Sequence, residues 1–205
     1  MNKTPVILLG CGGHAKVILE TLLDNNIKII GATDISLDND FVFSDIPIIG
    51  NDDVIFNYDS SEICLVNGIG MLPGSTTRMK LNDKFYSQGY IFGTVIDKFT
   101  KVSKSAFLSE GVQLMSGVII QSDVSIGINT IINTSVSIDH DCKIGANCHI
   151  SPGAVLCGGI DVGNNTFIGP GTVVTQGVKI GRDCVIGAGS VLVKDVNDGN
   201  KIIQQ

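Results

Sequence analysis

Residues 137–150 read Ser-Ile-Asp-His-Asp-Cys-Lys-Ile-Gly-Ala-Asn-Cys-His-Ile, with an aliphatic residue at 138, 144 and 150. The spacing continues both ways: from Val102 to Leu192 every sixth residue is Val, Leu or Ile, sixteen positions without an insertion. Two positions before many of them sits a small or β-branched residue (Val136, Cys142, Cys148, Ala154, Thr166, Cys184), and Gly often follows (Gly145, Gly163, Gly169, Gly187). A period of six fits neither a helix nor a hairpin meander. It marks a parallel β-helix, in which three hexads make one triangular coil. Sixteen hexads predict about five coils, with the aliphatics stacked in one column and each contributing roughly 1.5–3 kcal/mol by burial. Cys142, Cys148 and Cys184 fall on the small inward position and read as core filler.

The 205 residues are 43% hydrophobic and 17% charged, which excludes a disordered chain. Fourteen basic residues against twenty acidic ones give a net charge of −6 with no basic stripe, so nucleic acid is excluded as a partner. No apolar run reaches the roughly 18–20 residues of a membrane span, and Val6–Leu9 is too short for a signal-peptide core. A cytoplasmic location is expected, and six Cys without a CxxC pair suit reduced thiols there. Of eight Phe and three Tyr, only Phe107 and Phe167 lie beyond residue 100. That shift predicts two architectures, over 1–97 and 98–205.

The first is read as a Rossmann-like α/β domain. A strand over Lys3–Leu9 runs into Gly10-Cys11-Gly12-Gly13-His14-Ala15 and a helix over Lys16–Asp24. A second strand over Ile27–Ala32 leads to Asp34; a strand over Glu62–Val66, a helix over Ser75–Ser87 and a strand over Tyr90–Ile96 follow. The glycine loop has the form G-x-G-x-x-A, with an acidic residue about 20 positions on, the pattern that brings phosphate to a helix N-terminus. NAD is the obvious ligand, but about 95 residues are short for the paired halves of a dinucleotide fold, and a mononucleotide diphosphate fits better. A glycine turn without ligand is the alternative. His14 stands at the mouth of the loop, placed to reach a phosphate or sugar or to cap the helix.

Outward strand positions sort by an 18-residue step. Ile131, His149, Phe167 and Val185 form one column; Ile119, Ser137, Val155, Val173 and Val191 a second; Ser125, Lys143, Asp161 and Lys179 a third. Two apolar faces and one charged face predict three prisms around a threefold axis, a homotrimer. The N-terminal domain folding over one face is the alternative. His140 falls at an outward corner, with Gly158 and Gly159 one coil above His140 and Asp141. The glycines predict an open notch over the imidazole and a bared backbone amide. A base, a carboxylate to orient it (Asp141, or Asp139) and an oxyanion donor are the parts of acyl transfer. His149 lies on a different face and would meet His140 only across subunits. A zinc hydratase would need about three His ligands, and only His140 and His149 lie in the repeat region, so no metal is expected. A non-catalytic scaffold is the remaining class. Cys157, beside the notch, is disfavoured as an acyl carrier.

The Gly-x-Gly-Gly-His-Ala-Lys loop at 10–16, the short nucleotide-type domain and hexads carrying Asp139-His140-Asp141 resemble the bacterial nucleotide-aminosugar N-acetyltransferases and the related sialic acid O-acetyltransferases. The resemblance implies a left-handed β-helix, acetyl-CoA as donor, and a homotrimer with the active site between subunits. It implies His140 as base, Asp141 as its orienting acid, Gly158 as oxyanion donor, and His149 near the acetyl group. The nucleotide would lie on Gly12, Gly13, His14 and Asp34, and the coenzyme arm would pass Gly187 and Ala188. Domain 1–97 then binds the nucleotide sugar, and 98–205 transfers the acyl group. Direct transfer to the amine of a UDP-4-amino-4,6-dideoxy sugar is the favoured reading, with a sialic acid hydroxyl as the alternative. Family members commonly carry His-Pro where this chain has Asp97-Lys98, and a C-terminal Gly-x-Pro-Ala that it lacks.

Overall fold

The computed structural model describes residues 4–35 and 46–203. The chain divides into two compact units: one runs to Val95 without Leu72–Gly74, and the other takes Leu72–Gly74 and everything from Ile96.

In the first unit, β1 (Val6–Leu9) is buried at every residue, as befits an inner strand covered on both faces. It lies in a parallel sheet of order β3 (Ile48–Gly50), β2 (Ile29–Thr33), β1, β4 (Cys64–Asn67). Helix α1 (Gly13–Asp24) buries Ala15, Ile18, Leu19 and Leu22, the helical spacing, and α2 (Thr77–Tyr86) buries Phe85.

Several boundaries differ from those read in the sequence. Helix α1 starts at Gly13 instead of Lys16, because Gly10 turns the chain at φ 87° and Gly12 is already the extended N-cap. Strand β2 starts at Ile29 because the Ile27 amide still bonds to Leu22 O, closing the end of α1. Strand β3, unanticipated, is too short to carry a pattern. The strand read over Tyr90–Ile96 is interrupted at Gly93, whose α-carbon packs against β4. Phe92 makes one bridge to Leu65, and pairing resumes at Val95–Ile96. Lys3, the expected start of β1, lies outside the described residues.

From Val95 onward, the last residue of the first unit, eighteen two-residue strands among the described residues form three parallel sheets of five, seven and six strands. The sixteen expected hexads each supply one strand; Val95–Ile96 and Lys201–Ile202 add one at either end, so six coils replace the expected five. Residue n pairs with n+18 up to Leu192, as in Ile131–His149–Phe167–Val185 and Ser125–Lys143–Asp161–Lys179, whereas the last strand pairs Val185 with Lys201 and Ile186 with Ile202, a step of 16.

The corners follow their own rule. From Gly111 to Gly189 every sixth residue has positive φ, and all but Ser135 are Gly, Asn or Asp, the residues that tolerate the left-handed region. The glycines after the aliphatics have a different cause: a Cβ on Gly169 would lie 2.6 Å from Ala188 N and 2.7 Å from Gly187 C, in the backbone of the next coil. The inward cysteines do more than fill space. Cys142, Cys148 and Cys184 direct their thiols at Cys157 O, Gly163 O and Asn197 O (3.1, 3.2 and 3.1 Å), as Thr130 and Thr166 direct hydroxyls at Gly145 O and Gly181 O. Burial pushes the Cys148 thiol up to about 12, so it stays protonated and donates.

The two apolar faces are unlike each other. Ile119, Val155 and Val191 are exposed, whereas Ile131 and His149 are already buried within the single chain (0% and 7% accessible). The expectation of two bare apolar faces is corrected in part: the second is covered at Ile131 and His149 and half-buried at Phe167 and Val185. Replacing Gly169 by Ala drives a methyl into backbone that cannot yield. A loss of about 1–3 kcal/mol in chemical denaturation is expected, and an unchanged midpoint would contradict this account of the corner.

Candidate active site

His140 occupies the corner between strands Ser137–Ile138 and Lys143–Ile144. The two neighbouring carboxylates divide the work. Asp139 Oδ1 accepts the His140 backbone N–H at 2.8 Å. Asp141, at φ 60°, folds its carboxylate back so that Oδ2 lies 2.7 Å from His140 Nδ1. The left-handed backbone is thus what lets a residue one position away reach the ring. A carboxylate can only accept, so Nδ1 carries the hydrogen and Nε2 presents a lone pair. The Asp141 hydrogen bond, followed by the charge of Asp139, raises the His140 pKa above its ordinary 6.5. Both side chains are largely in water, so this pairing orients the ring more than it stabilises the fold.

Gly158 lies directly against the imidazole: a Cβ there would sit 2.6 Å from Cε1 and 2.7 Å from Nε2 of His140. The expected notch is therefore filled by the ring, and the glycine is the space the ring needs. The expectation of bared amides is halved. Gly159 N–H donates to His140 O at 2.8 Å, while Gly158 N–H has no protein acceptor among the described residues.

His149 belongs to a different sheet, where it stacks on Phe167 with centroids 5.0 Å apart and planes at 13°. Gly187 and Ala188 stand over Gly169 at another corner, with Gly187 O accepting from Ser190 Oγ and Gly187 N–H donating to Ile202 O. One chain thus assembles His140, Asp141 and Gly158 and leaves His149, Gly187 and Ala188 elsewhere on the column. Cys157 is partly exposed and gives its carbonyl to the Cys142 thiol.

In the first unit, Gly12 and Gly13 open α1 with nothing within 4 Å of where a Cβ would stand, and no acidic side chain occupies the first turn. The Cys11 amide donates to Asp34 Oδ2 at 2.9 Å, tying the acidic residue after β2 to the glycine loop. Burial and the Asp34 charge push the Cys11 thiol up to about 11. Sequence reasoning missed the segment after β4: Gly68 packs on Ala15, Ile69 on Gly10, and Gly70 on His14, whose Cβ would be 3.3 Å from a Cβ at residue 70. The run Asn67-Gly68-Ile69-Gly70 at a strand end was the available signal.

Residues 5–85 match the family model of the PglD N-terminal domain, and residues 123–158 and 159–194 match that of the bacterial transferase hexapeptide (six repeats). Among solved structures, a histidine-to-asparagine variant of perosamine N-acetyltransferase from Caulobacter crescentus, in complex with CoA and GDP-perosamine, is 35% identical, with 98% of this chain and 93% of that chain covered and a TM-score of 0.89. The acetyltransferase domain of PglB from Neisseria gonorrhoeae FA1090, in complex with acetyl coenzyme A, is 26% identical, with coverage of 98% and 96% and a TM-score of 0.89. WeeI from Acinetobacter baumannii AYE, 22% identical over 98% of this chain and 97% of that chain, shares the fold at a TM-score of 0.86. Among curated proteins none matches. The chain belongs to the hexapeptide-repeat nucleotide-sugar acetyltransferases, enzymes that join a PglD-type domain to a left-handed parallel β-helix.

Two substitutions probe the corner. Asp141→Asn tolerates the same backbone but removes the charged acceptor, so the His140 pKa read by NMR falls back toward 6.5. If His140 must be neutral to act, kcat/KM rises with pH through that pKa; the acid limb of Asp141→Asn then shifts to lower pH while the plateau drops about tenfold or more. Gly158→Ala displaces the ring from Asp141 and lowers the same pKa with little change in thermal stability; an undisturbed His140 titration would contradict the packing described.

Proposed function

We propose that the protein transfers the acetyl group of acetyl-CoA to the amine of a nucleotide-linked amino sugar, with His140 as general base. The observation that carries the reading is the 2.7 Å bond from His140 Nδ1 to Asp141, which leaves the lone pair on Nε2, beside Gly158. The likeness to an enzyme described with CoA and GDP-perosamine supports the donor and the acceptor class.

In this mechanism Nε2 takes a proton from the amine as its nitrogen attacks the thioester carbonyl. The new C–N bond leaves a tetrahedral oxyanion, for which Gly158 N–H is the donor. Collapse breaks the C–S bond, and the imidazolium returns the proton to the coenzyme sulfur, so neither an acyl-enzyme nor Cys157 is required. Asp141 holds the tautomer and stabilises the imidazolium.

The nucleotide diphosphate is assigned to the amides of Gly12 and Gly13 at the start of α1, with His14 and Asp34 beside it; a single four-stranded sheet suits one nucleotide better than two. Residues 1–97 serve the nucleotide sugar and residues 98–205 the transfer. The exposed strip Ile119, Val155, Val191 is read as a subunit contact in a homotrimer, which brings a neighbour's His149 toward the acetyl group of His140's site and sets Gly187 and Ala188 along the coenzyme arm.

Thiol release from acetyl-CoA, measured over UDP-, GDP- and CMP-linked amino sugars and free sialic acid, tests the reading. Turnover is expected with a UDP- or GDP-linked 4-amino-4,6-dideoxy sugar, and His140→Ala should lower kcat about 10²–10⁴-fold. Turnover with sialic acid alone, or a fully active His140→Ala, would overturn it.

A further inference from the structure

Arg78, on the first turn of α2, is 95% buried by its 5% accessibility, an uncommon place for a guanidinium. Among the described residues it makes no ion pair. Its Nη1 instead donates to two main-chain oxygens, Asn67 O at 2.9 Å and Ile69 O at 2.7 Å, while Nε is buried without a partner. Desolvation pushes its pKa down to about 9, so the group still carries its charge at neutral pH. Burying such a charge is costly unless something needs it, and an apolar side chain would fill the same volume more cheaply.

What the charge organises is the segment leaving β4. Asn67 reinforces it, accepting the Ile69 N–H on Oδ1 at 2.9 Å and donating from Nδ2 to Asn82 Oδ1 at 2.8 Å. Gly68, Ile69 and Gly70 lie in turn against Ala15, Gly10 and His14, so this segment is one wall of the glycine loop. The C=O and N–H of a trans peptide point in opposite directions. Holding Ile69 O on Arg78 therefore turns Gly70 N–H away from the guanidinium, and that N–H has no acceptor among the described residues.

We infer that Arg78 is a positioning residue of the nucleotide site: it clamps the Asn67–Gly70 wall against the glycine loop and so presents Gly70 N–H, beside His14, to an oxygen of the nucleotide's diphosphate or ribose. The inference rests on the nucleotide reading of that loop. It makes Arg78 specific to one substrate: the nucleotide sugar depends on the wall, and acetyl-CoA does not.

The test compares Arg78→Lys, Arg78→Gln and Gly70→Ala with the unaltered full chain, using UDP and GDP as calorimetric probes and the acetyl-transfer assay for kinetics. Losing a charge-assisted pair of hydrogen bonds should weaken nucleoside diphosphate binding, and raise the KM for the nucleotide sugar, about tenfold to a hundredfold in Arg78→Gln. Arg78→Lys, which keeps the charge but not the planar group that places Nη1 between the two oxygens, should fall between. The KM for acetyl-CoA and the kcat at saturating sugar should stay within about threefold, a split that general loosening of the fold would not give. Gly70→Ala has no backbone strain to overcome, and its methyl pushes on His14. It should raise the same KM, and it decides the matter together with Arg78→Lys if Arg78→Gln does not fold. Nucleotide binding by the unaltered chain with unchanged KM in the variants would overturn the role of Arg78 alone. Failure of the unaltered chain to bind either nucleotide would overturn the nucleotide reading and this inference with it.

Discussion

Parallel pairing of each coil with the coil eighteen residues away is the constraint on which the rest of the second unit depends. It converts sequence distance into spatial adjacency without any further folding information: residue n lies beside n+18. The ladder survives only if each corner turns the chain by the same amount, which is why a left-handed residue recurs at every sixth position from Gly111 to Gly189. It also requires coils to approach closely at certain corners, where Gly145 and Gly169 stand because any Cβ would enter the backbone above. The pairing of His140 with Gly158 is the same arithmetic applied once more. The site is a place where the corner rule and the stacking rule coincide: Asp141 is left-handed because it is a corner residue, and that conformation delivers its carboxylate to the ring.

The two halves solve the problem of positioning polar groups in opposite ways. His140 and Asp141 stand largely in water, where attraction between charges is weak, so their contact acts through geometry and tautomer. In the N-terminal unit the organising charge is buried. Arg78 donates to the main-chain oxygens of Asn67 and Ile69 and so ties the segment after β4 to α2. The proposed reaction at His140, which has to admit two substrates, suits the exposed arrangement. A wall that must hold one shape suits the buried one.

Legibility in the sequence varied with how local each feature is. Inward aliphatics, the small inward positions, the outward columns and the adjacency of His140 and Gly158 were all readable, because each follows from a fixed period. The choice between Asp139 and Asp141 was not, since both are one residue from His140 and only backbone φ separates them. Nor was the burial of Ile131 and His149, which occupy outward positions by periodicity and are covered nonetheless. Arg78 gave no signal at all, because a charged residue on a short helix ordinarily faces water. Strand β3 was too brief to show a pattern, and its pairing is with Ala32 and Thr33, residues it meets only in the folded sheet.

By itself, the order of amino acids determined the solenoid, its register, the glycine loop before α1, and which imidazole stands at an outward corner. These are consequences of short-range stereochemistry repeated at constant interval, and repetition makes them visible. Tertiary structure alone decided that the His140 ring occupies the room left by Gly158, that Asp141 takes Nδ1 while Asp139 takes the backbone, and that a buried guanidinium holds Asn67–Gly70 beside the loop. Those outcomes depend on rotamers and on which polar groups lose access to water, and such competition is settled only when chain segments remote in sequence come together.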